Sequence, residues 1–227
     1  MRTALGFIIG IIALLGLLYL SGTRFAAHQK ITLSVATPAG VRSASAVQKL
    51  SFEKSLPDWV VPGDAGGSSI WLSGEAVALE IAPQKYLFAL LTDTPRAWDV
   101  FFPHQSPASV GPVMAASIGK VQTLTPDQYP LLVTFGDIND PASVRRVDPA
   151  DLAASFGAGY RLDAITMTIT DEPVTKGKVE AVLGWLETVG RTRPSLKGRP
   201  ENGLVSQQPD PELYMITSGD FSTELFK

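Results

Sequence analysis

Apolar and polar residues alternate along several short stretches of the chain, with the period of two that is typical of β-strands. The clearest stretches are residues 31–36, 77–82 and 165–170, and each predicts a strand with one buried face. Short turn sequences that contain proline follow the first two stretches, so each is expected to reverse into a hairpin. In the returning strand of the first hairpin the alternation changes phase near Gln48, which predicts a β-bulge.

The middle of the chain contains the clearest turn-forming and helix-capping residues. A short apolar run at 131–135 predicts a buried strand because a turn rich in Asp, Asn and Pro follows it, and 142–147 forms a second extended piece. Asp148 is then expected to cap a helix that begins at Pro149 and ends just before Gly157. A longer helix is predicted over 176–189, where apolar residues recur at i, i+3, i+4 and i+7 and should pack on the sheet.

Together these elements predict an α+β domain in which one mostly antiparallel β-sheet carries one or two packed helices. Connections of hairpin length join most of the strands, whereas parallel neighbours need crossovers of about a dozen residues or more. Residues 191–211 are polar and rich in Pro and Gly, so they are expected to form a surface loop.

The N-terminal stretch predicts a membrane anchor. Residues 3–23 carry no charged side chain and, as a helix rising about 1.5 Å per residue, would just cross the roughly 30 Å apolar core of a bilayer. We therefore predict a transmembrane segment at 1–23 that contacts lipid through 5–22, a juxtamembrane linker at 24–30 and an extracytoplasmic domain at 31–227. The alternative is a cleaved signal peptide, but the apolar part exceeds the usual limit of about 15 residues and no suitable cleavage site follows.

The sequence also bears on the orientation and association of this segment. Arg2 precedes the span while Arg24 and Lys30 follow it, so the positive charges are nearly balanced and leave both orientations open. A short charged head before the span and a large domain after it are typical of a signal anchor, which would place the domain outside the cytoplasm. Gly6 and Gly10 form one GxxxG motif, which predicts close approach of two helices in a homodimer. The same spacing arises easily in a glycine-rich apolar segment, so an ordinary lipid-facing helix is the alternative.

Composition and charge exclude several kinds of site. The net charge is -3 and the basic residues are scattered, so nucleic acid is not an expected partner. The absence of cysteine excludes disulfides, thiolate metal sites and a cysteine nucleophile. His28 and His104 are the only histidines and do not form a ligand pair. Asp137 to Asp140 resembles the start of a calcium loop, but Pro141 occupies a ligand position, so turn formation is the better interpretation and no cofactor is expected.

Candidate catalytic groups are weakly supported. Two Ser-x-x-Lys sequences occur, at 51–54 and 117–120, but the first lies on a predicted strand and the second lacks the companion motifs of serine hydrolases. Glu75 and Glu80 flank or lie on one predicted strand and leave an acid pair open as an alternative.

Residues 92–128 form a long, proline-rich excursion without clear periodicity. Because this excursion carries Trp98, Phe101 and Phe102, we expect it to be folded rather than disordered. Two alternatives remain open for the three aromatic side chains. They either pack on the domain or are partly exposed and adjacent, in which case they would anchor a protein partner.

Several segments resemble those of a family of single-pass, membrane-anchored proteobacterial proteins with no known activity. The resemblance spans most of the predicted outer domain and is carried by ATPAGVRSASAV, GEAVAL, YLFALLT and YPLLVTFGDINDPASVRRVDPADLAASFG. From the long apolar run and the poor cleavage region we expect a retained anchor in the bacterial inner membrane, with the domain in the periplasm. The expected function is that of a membrane-anchored, non-catalytic interaction or assembly protein of the envelope. The alternative is a cysteine- and metal-independent hydrolase that uses an acid pair or a serine.

Overall fold

The computed structural model describes residues 23–54, 67–190, 194–200 and 203–224. The predicted transmembrane segment, including Gly6 and Gly10, lies outside the described residues except for Thr23. Within the described ranges, no helix has the length and apolar character needed to cross a membrane.

The described residues contain strands and short helices. The strands are β1 (Thr23–Thr37), β2 (Gly40–Lys54), β3 (Ser68–Ser73), β4 (Val77–Ala82), β5 (Lys85–Ala89), β6 (Val121–Thr123), β7 (Leu132–Phe135), β8 (Val144–Arg146) and β9 (Arg161–Thr170). The helices are α1 (Ala97–Phe101), α2 (Gly111–Ala115), α3 (Leu152–Phe156), α4 (Lys178–Val182) and α5 (Leu186–Gly190). Single 3-10 turns occupy Pro126–Gln128, Pro141–Ser143, Val205–Gln207, Pro211–Tyr214 and Ser218–Asp220.

These strands form two antiparallel sheets. The first has the order β3-β2-β1-β9-β6 and the second the order β4-β5-β7-β8. The mostly antiparallel domain with few helices is as predicted, but the prediction of one sheet is wrong. The physical reason lies in β5 and β7, which are apolar on both faces and must therefore be covered on both sides. Leu87 of β5 faces the first sheet, whereas the next residue, Phe88, faces the opposite side.

Two hydrophobic clusters fill the spaces on either side of the second sheet. The first lies between the two sheets, and β4 contacts both β1 and β2 across it. The second lies between the second sheet and a C-terminal layer, which we define as residues 178–190, 194–200 and 203–224. Its buried members include Phe88, Val133, Val179, Leu183, Leu186 and Phe221. The order is therefore sheet, sheet and C-terminal layer, so the second sheet is the centre of the domain.

The first hairpin is longer than the sequence indicates. β1 and β2 are each 15 residues long and pair from Thr23 with Lys54 to Thr37 with Gly40 without a register shift. The prediction of a linker at 24–30 is therefore wrong, because Phe25 and Ala27 continue the inward alternation and pack on the first cluster. The predicted bulge at Gln48 is also wrong. Gln48 is a buried polar residue on the core face, and it interrupts the hydrophobic pattern without changing the register.

The predicted helices are shorter than expected. The prediction of a single helix at 176–189 is wrong. The chain leaves helical geometry at Leu183 (φ -107°, ψ 71°) and forms α4 and α5 on either side. Leu183 nevertheless stays buried, so the break preserves the apolar stripe. The N-terminal cap of α3 also lies at a different residue from the one predicted. Asp151, rather than Asp148, accepts a hydrogen bond from Ala154 N (3.1 Å). The helix ends at Phe156, and Gly157 directly follows it with a φ of 101°, as predicted.

The proline-rich excursion is folded, as predicted. It contributes α1 and α2, and it also supplies the edge strand β6, which pairs with β9. The sequence does not indicate this strand because all three of its residues are exposed and show no alternation. The predicted surface loop at 191–211 is partly packed in its described portion, since Leu196 belongs to the second cluster and its N–H donates to Ile216 O (2.9 Å).

Candidate functional site

Trp98 lies in the core of the domain. It is 1% exposed, and its ring packs edge-on against Phe25 (centroids 5.7 Å apart) and Phe52 (6.5 Å). Aromatic pairs at these distances contribute packing energy beyond the burial of area. The partner-binding hypothesis requires Trp98 to be partly exposed, and it is not, so packing is the correct alternative for this residue.

Phe101 and Phe102, at the end of α1, are half-buried and adjacent. Their ring centroids are 6.4 Å apart, and both pack against the edge of the first cluster. Lys120 is exposed, and its Nζ lies 5.6 Å from the centroid of Phe102, within the range of a cation–π contact. Ile118, two residues earlier, is 51% exposed. We call Phe101, Phe102 and Lys120 the diphenylalanine surface. For its two aromatic residues, partner binding stays a prediction.

Two buried glutamines hold the chain in front of α1. Gln29 Nε2 donates to Gln48 Oε1 (3.0 Å) and to Pro95 O (3.1 Å), while Gln29 Oε1 accepts from Ala97 N (2.8 Å). Gln48 Nε2 in turn donates to Glu75 O (3.3 Å). Both side chains are almost completely buried. This network fixes the start of α1 relative to β1 and β2, and so it orients the diphenylalanine surface.

Glu75 forms a carboxyl pair with Glu180. The Glu75 side chain is 0% exposed, and its Oε2 accepts from Lys178 N (3.1 Å) and Val179 N (3.3 Å) at the start of α4. Glu75 Oε1 and Glu180 Oε2 are buried and have no hydrogen-bond partner among the described residues when both groups are ionised. Burial, and then the adjacent Glu180 carboxyl, raise the pKa of Glu75 to about 7, although the two backbone N–H groups act in the opposite direction.

This pair lies apart from three surface cavities that the described residues form. Three surface cavities in the described part of the chain have volumes of about 250, 320 and 380 Å³, and neither Glu75 nor Glu180 lines any of them. The first adjoins the start of β1 and is mainly apolar, with His28 and Asp171 among its lining residues. The other two are neighbours that share Asp93 and Glu212. The predicted acid partner, Glu80, lies on β4 and is exposed.

The Ser-x-x-Lys sequences do not form serine–lysine pairs. Ser117 is buried in a turn, where its carbonyl accepts from Lys120 N (3.0 Å), and the Lys120 ammonium group lies over Phe102 instead. Ser51 and Lys54 lie three residues apart on β2, so their side chains point to opposite faces. Neither arrangement activates a hydroxyl group.

The remaining polar motif stabilises a turn. Asp137 Oδ1 accepts from Asn139 N (2.9 Å) and Asp140 Oδ1 accepts from Ala142 N (2.9 Å), which are the Asx-turn contacts expected for this segment. His28 Nδ1 lies 2.6 Å from Glu172 O. No cluster of three or more His, Asp or Glu side chains within the described ranges could hold a metal ion.

The local sequence around Glu180 and Gln29 does not indicate that either residue forms buried polar contacts. Glu180 is separated from Glu75 by 105 positions, and nothing in its local pattern distinguishes it from an exposed helical glutamate. Gln48 did leave a signal, namely the phase change in β2. A buried polar residue would have explained that change as well as a bulge, and it would have required a polar partner on the neighbouring strand.

No protein-family model matches the chain, and no curated protein or solved structure matches it significantly. The resemblance to membrane-anchored proteobacterial proteins therefore stays an expectation.

Proposed function

We propose that this chain is a membrane-anchored, non-catalytic interaction or assembly protein of the bacterial envelope, with its β-sheet domain in the periplasm. The uncharged stretch at 3–23 supports the anchor. The first described strand starts at Thr23, so little chain separates the anchor from the first sheet. The domain would then be held close to the bilayer.

The observation that carries the interaction role is the diphenylalanine surface. Phe101 and Phe102 are only partly buried, although the neighbouring Trp98 is fully buried in the core. Aromatic side chains held by a rigid support bind partners at low entropic cost, and such residues commonly dominate interface energetics. The glutamine network and Trp98 provide that support on either side of the start of α1.

The acid-pair hydrolase is less well supported. A carboxyl pair does exist at Glu75 and Glu180, but a general acid must reach the substrate within hydrogen-bonding distance. The Glu75 side chain is completely buried, and the three described cavities do not include it. A structural role at the start of α4 accounts for its contacts.

The proposal can be tested by crosslinking in intact cells. The test variant is Phe101→Ala/Phe102→Ala, and the control is Val41→Ala/Trp71→Ala, which removes two apolar side chains that are 65% and 50% exposed elsewhere on the first sheet. Both variants are first shown to be folded by near-ultraviolet circular dichroism.

We expect the native protein and the control to give the same crosslinked products. At least one of these products should be lost from the test variant. If the test variant is folded and retains every product, the diphenylalanine surface is not the interaction site and the proposal fails.

A further inference from the structure

The Glu75–Glu180 pair lies where three parts of the fold meet. Glu75 lies two residues before the start of β4 and forms a β-bridge with Ser222. Next to it, Ala76 N donates to Phe221 O (2.8 Å) and Thr223 N donates to Gly74 O (3.0 Å). The side chain of Glu75 reaches the first residues of α4. One buried carboxyl group thus joins the second sheet to both ends of the C-terminal layer.

The geometry favours a proton at this junction. Two buried carboxylate oxygens, Glu75 Oε1 and Glu180 Oε2, are unpartnered when both groups are ionised. If one group is protonated, its O–H can donate to the other carboxylate and both oxygens are satisfied. If both are ionised, two like charges face each other through buried oxygens, which is unfavourable.

The surrounding charged groups do not relieve that repulsion. On α4, Lys178 contributes only its backbone N–H to Glu75, and its side chain is exposed. In the C-terminal segment, Glu224 is held by the exposed Lys176 (3.2 Å). From the first sheet, the neutral Gln48 donates to the backbone carbonyl of Glu75. The backbone N–H groups of Lys178 and Val179 favour an ionised Glu75, but they do not outweigh burial and the Glu180 carboxyl group, so a shared proton stabilises this contact.

We propose that the Glu75–Glu180 pair is a proton-dependent latch, which holds α4 and residues 218–224 against the second sheet while one proton is bound and loosens them when it is lost. Loosening would expose apolar members of the second cluster, among them Val179 and Phe221.

The direction of the pH dependence follows from the contacts. The pKa of Glu75 is raised from 4.5 to about 7, so the closed state binds a proton more tightly than an open state in which Glu75 is solvated. The stabilisation by this proton is complete below about pH 4.5 and is lost as the pH rises through 7. Between pH 5 and pH 8 the opening equilibrium should increase by a factor of between about 10 and 100.

Hydrogen exchange of the full chain in nanodiscs tests the latch. Exchange is measured by mass spectrometry between pH 5 and pH 8 and corrected for the intrinsic pH dependence of amide exchange. The peptides of interest cover 178–190 and 218–224. The test variant, Glu75→Gln, resembles the protonated carboxyl group in shape and cannot ionise. The control is Glu187→Gln, which makes the same change at an exposed position in α5.

We expect the native protein and the control to lose protection in these peptides as the pH rises, while Glu75→Gln stays protected at pH 8. A flat native profile, or a native-like profile in Glu75→Gln, would overturn the proposal. If Glu75→Gln does not fold, Glu180→Gln decides the question, because an amide at position 180 can donate to an ionised Glu75. A reduced pH dependence in Glu180→Gln supports the latch, and an unchanged one refutes it.

Discussion

Gln29→Leu should destabilise the domain strongly, although the substitution preserves side-chain size and adds an apolar group to the core. Gln29 is 0% exposed and contacts Gln48, Pro95 and Ala97. Leucine would leave the carbonyl of Pro95, the N–H of Ala97 and the Oε1 of Gln48 without these hydrogen bonds. The structure therefore predicts a lower free energy of unfolding for Gln29→Leu. A hydrophobicity scale alone would predict a higher one, because leucine is more apolar than glutamine.

The magnitude follows from the number of groups left unpaired. Each buried, unsatisfied polar group costs about 1–3 kcal/mol, and local relaxation recovers part of that cost. We therefore expect a loss of about 2–5 kcal/mol in the free energy of unfolding. For a domain of this size, such a loss lowers the melting temperature by about 4–20 °C.

Thermal unfolding of the full chain in mild detergent, followed by near-ultraviolet circular dichroism, measures this effect. Gln122→Leu is the matched control, because Gln122 is exposed on β6 and its replacement should change the stability by less than about 0.5 kcal/mol. Combining Gln29→Leu with Gln48→Leu should cost less than the sum of the single changes, by about 0.5–3 kcal/mol. Additive costs, or a loss below about 1 kcal/mol for Gln29→Leu, would show that the network does not stabilise the fold.

Further predictions concern packing and the anchor. Trp98→Ala should lower the free energy of unfolding by about 3–5 kcal/mol because it opens a cavity in the first cluster, and a loss below 1 kcal/mol in denaturant titration would place Trp98 outside the core. Gly111→Ala should cost about 1–3 kcal/mol, since the added Cβ would lie 3.0 Å from the Phe25 ring. Gly184→Ala meets nothing within 4 Å and should be neutral or stabilising by up to about 1 kcal/mol; equal melting temperatures for the two variants would contradict this difference. Membrane-bound protein should retain its N-terminus, and Edman sequencing that starts after Thr23 would instead show a cleaved signal peptide.

The strands are predictable from the sequence where one face is buried. Ile31, Leu33 and Val35 alternate because only one side of β1 contacts the first cluster, and the hairpins follow from short turns. The division into two sheets is less evident. The continuous apolar run that contains Leu87 and Phe88 shows burial on both faces, but it does not show which elements provide the cover.

The site is harder to predict because its contacts join distant parts of the chain. Gln29 with Ala97 and Glu75 with Glu180 are pairs whose members have ordinary local patterns, and only the tertiary structure brings them together. The aromatic residues of α1 illustrate the same limit. Trp98 and Phe101 are three positions apart and similar in character, yet the first is core and the second is half-buried.

Site-specific photocrosslinking can show whether the diphenylalanine surface binds a partner in the envelope. A photoreactive phenylalanine analogue is placed at position 101 or 102 of the full chain in living cells, and at position 41 as a control, where Val41 is 65% exposed at the far end of the first hairpin. We expect a discrete, light-dependent adduct with one envelope protein from positions 101 and 102, and none from position 41. No adduct from either aromatic position, or the same adducts from position 41, would contradict it.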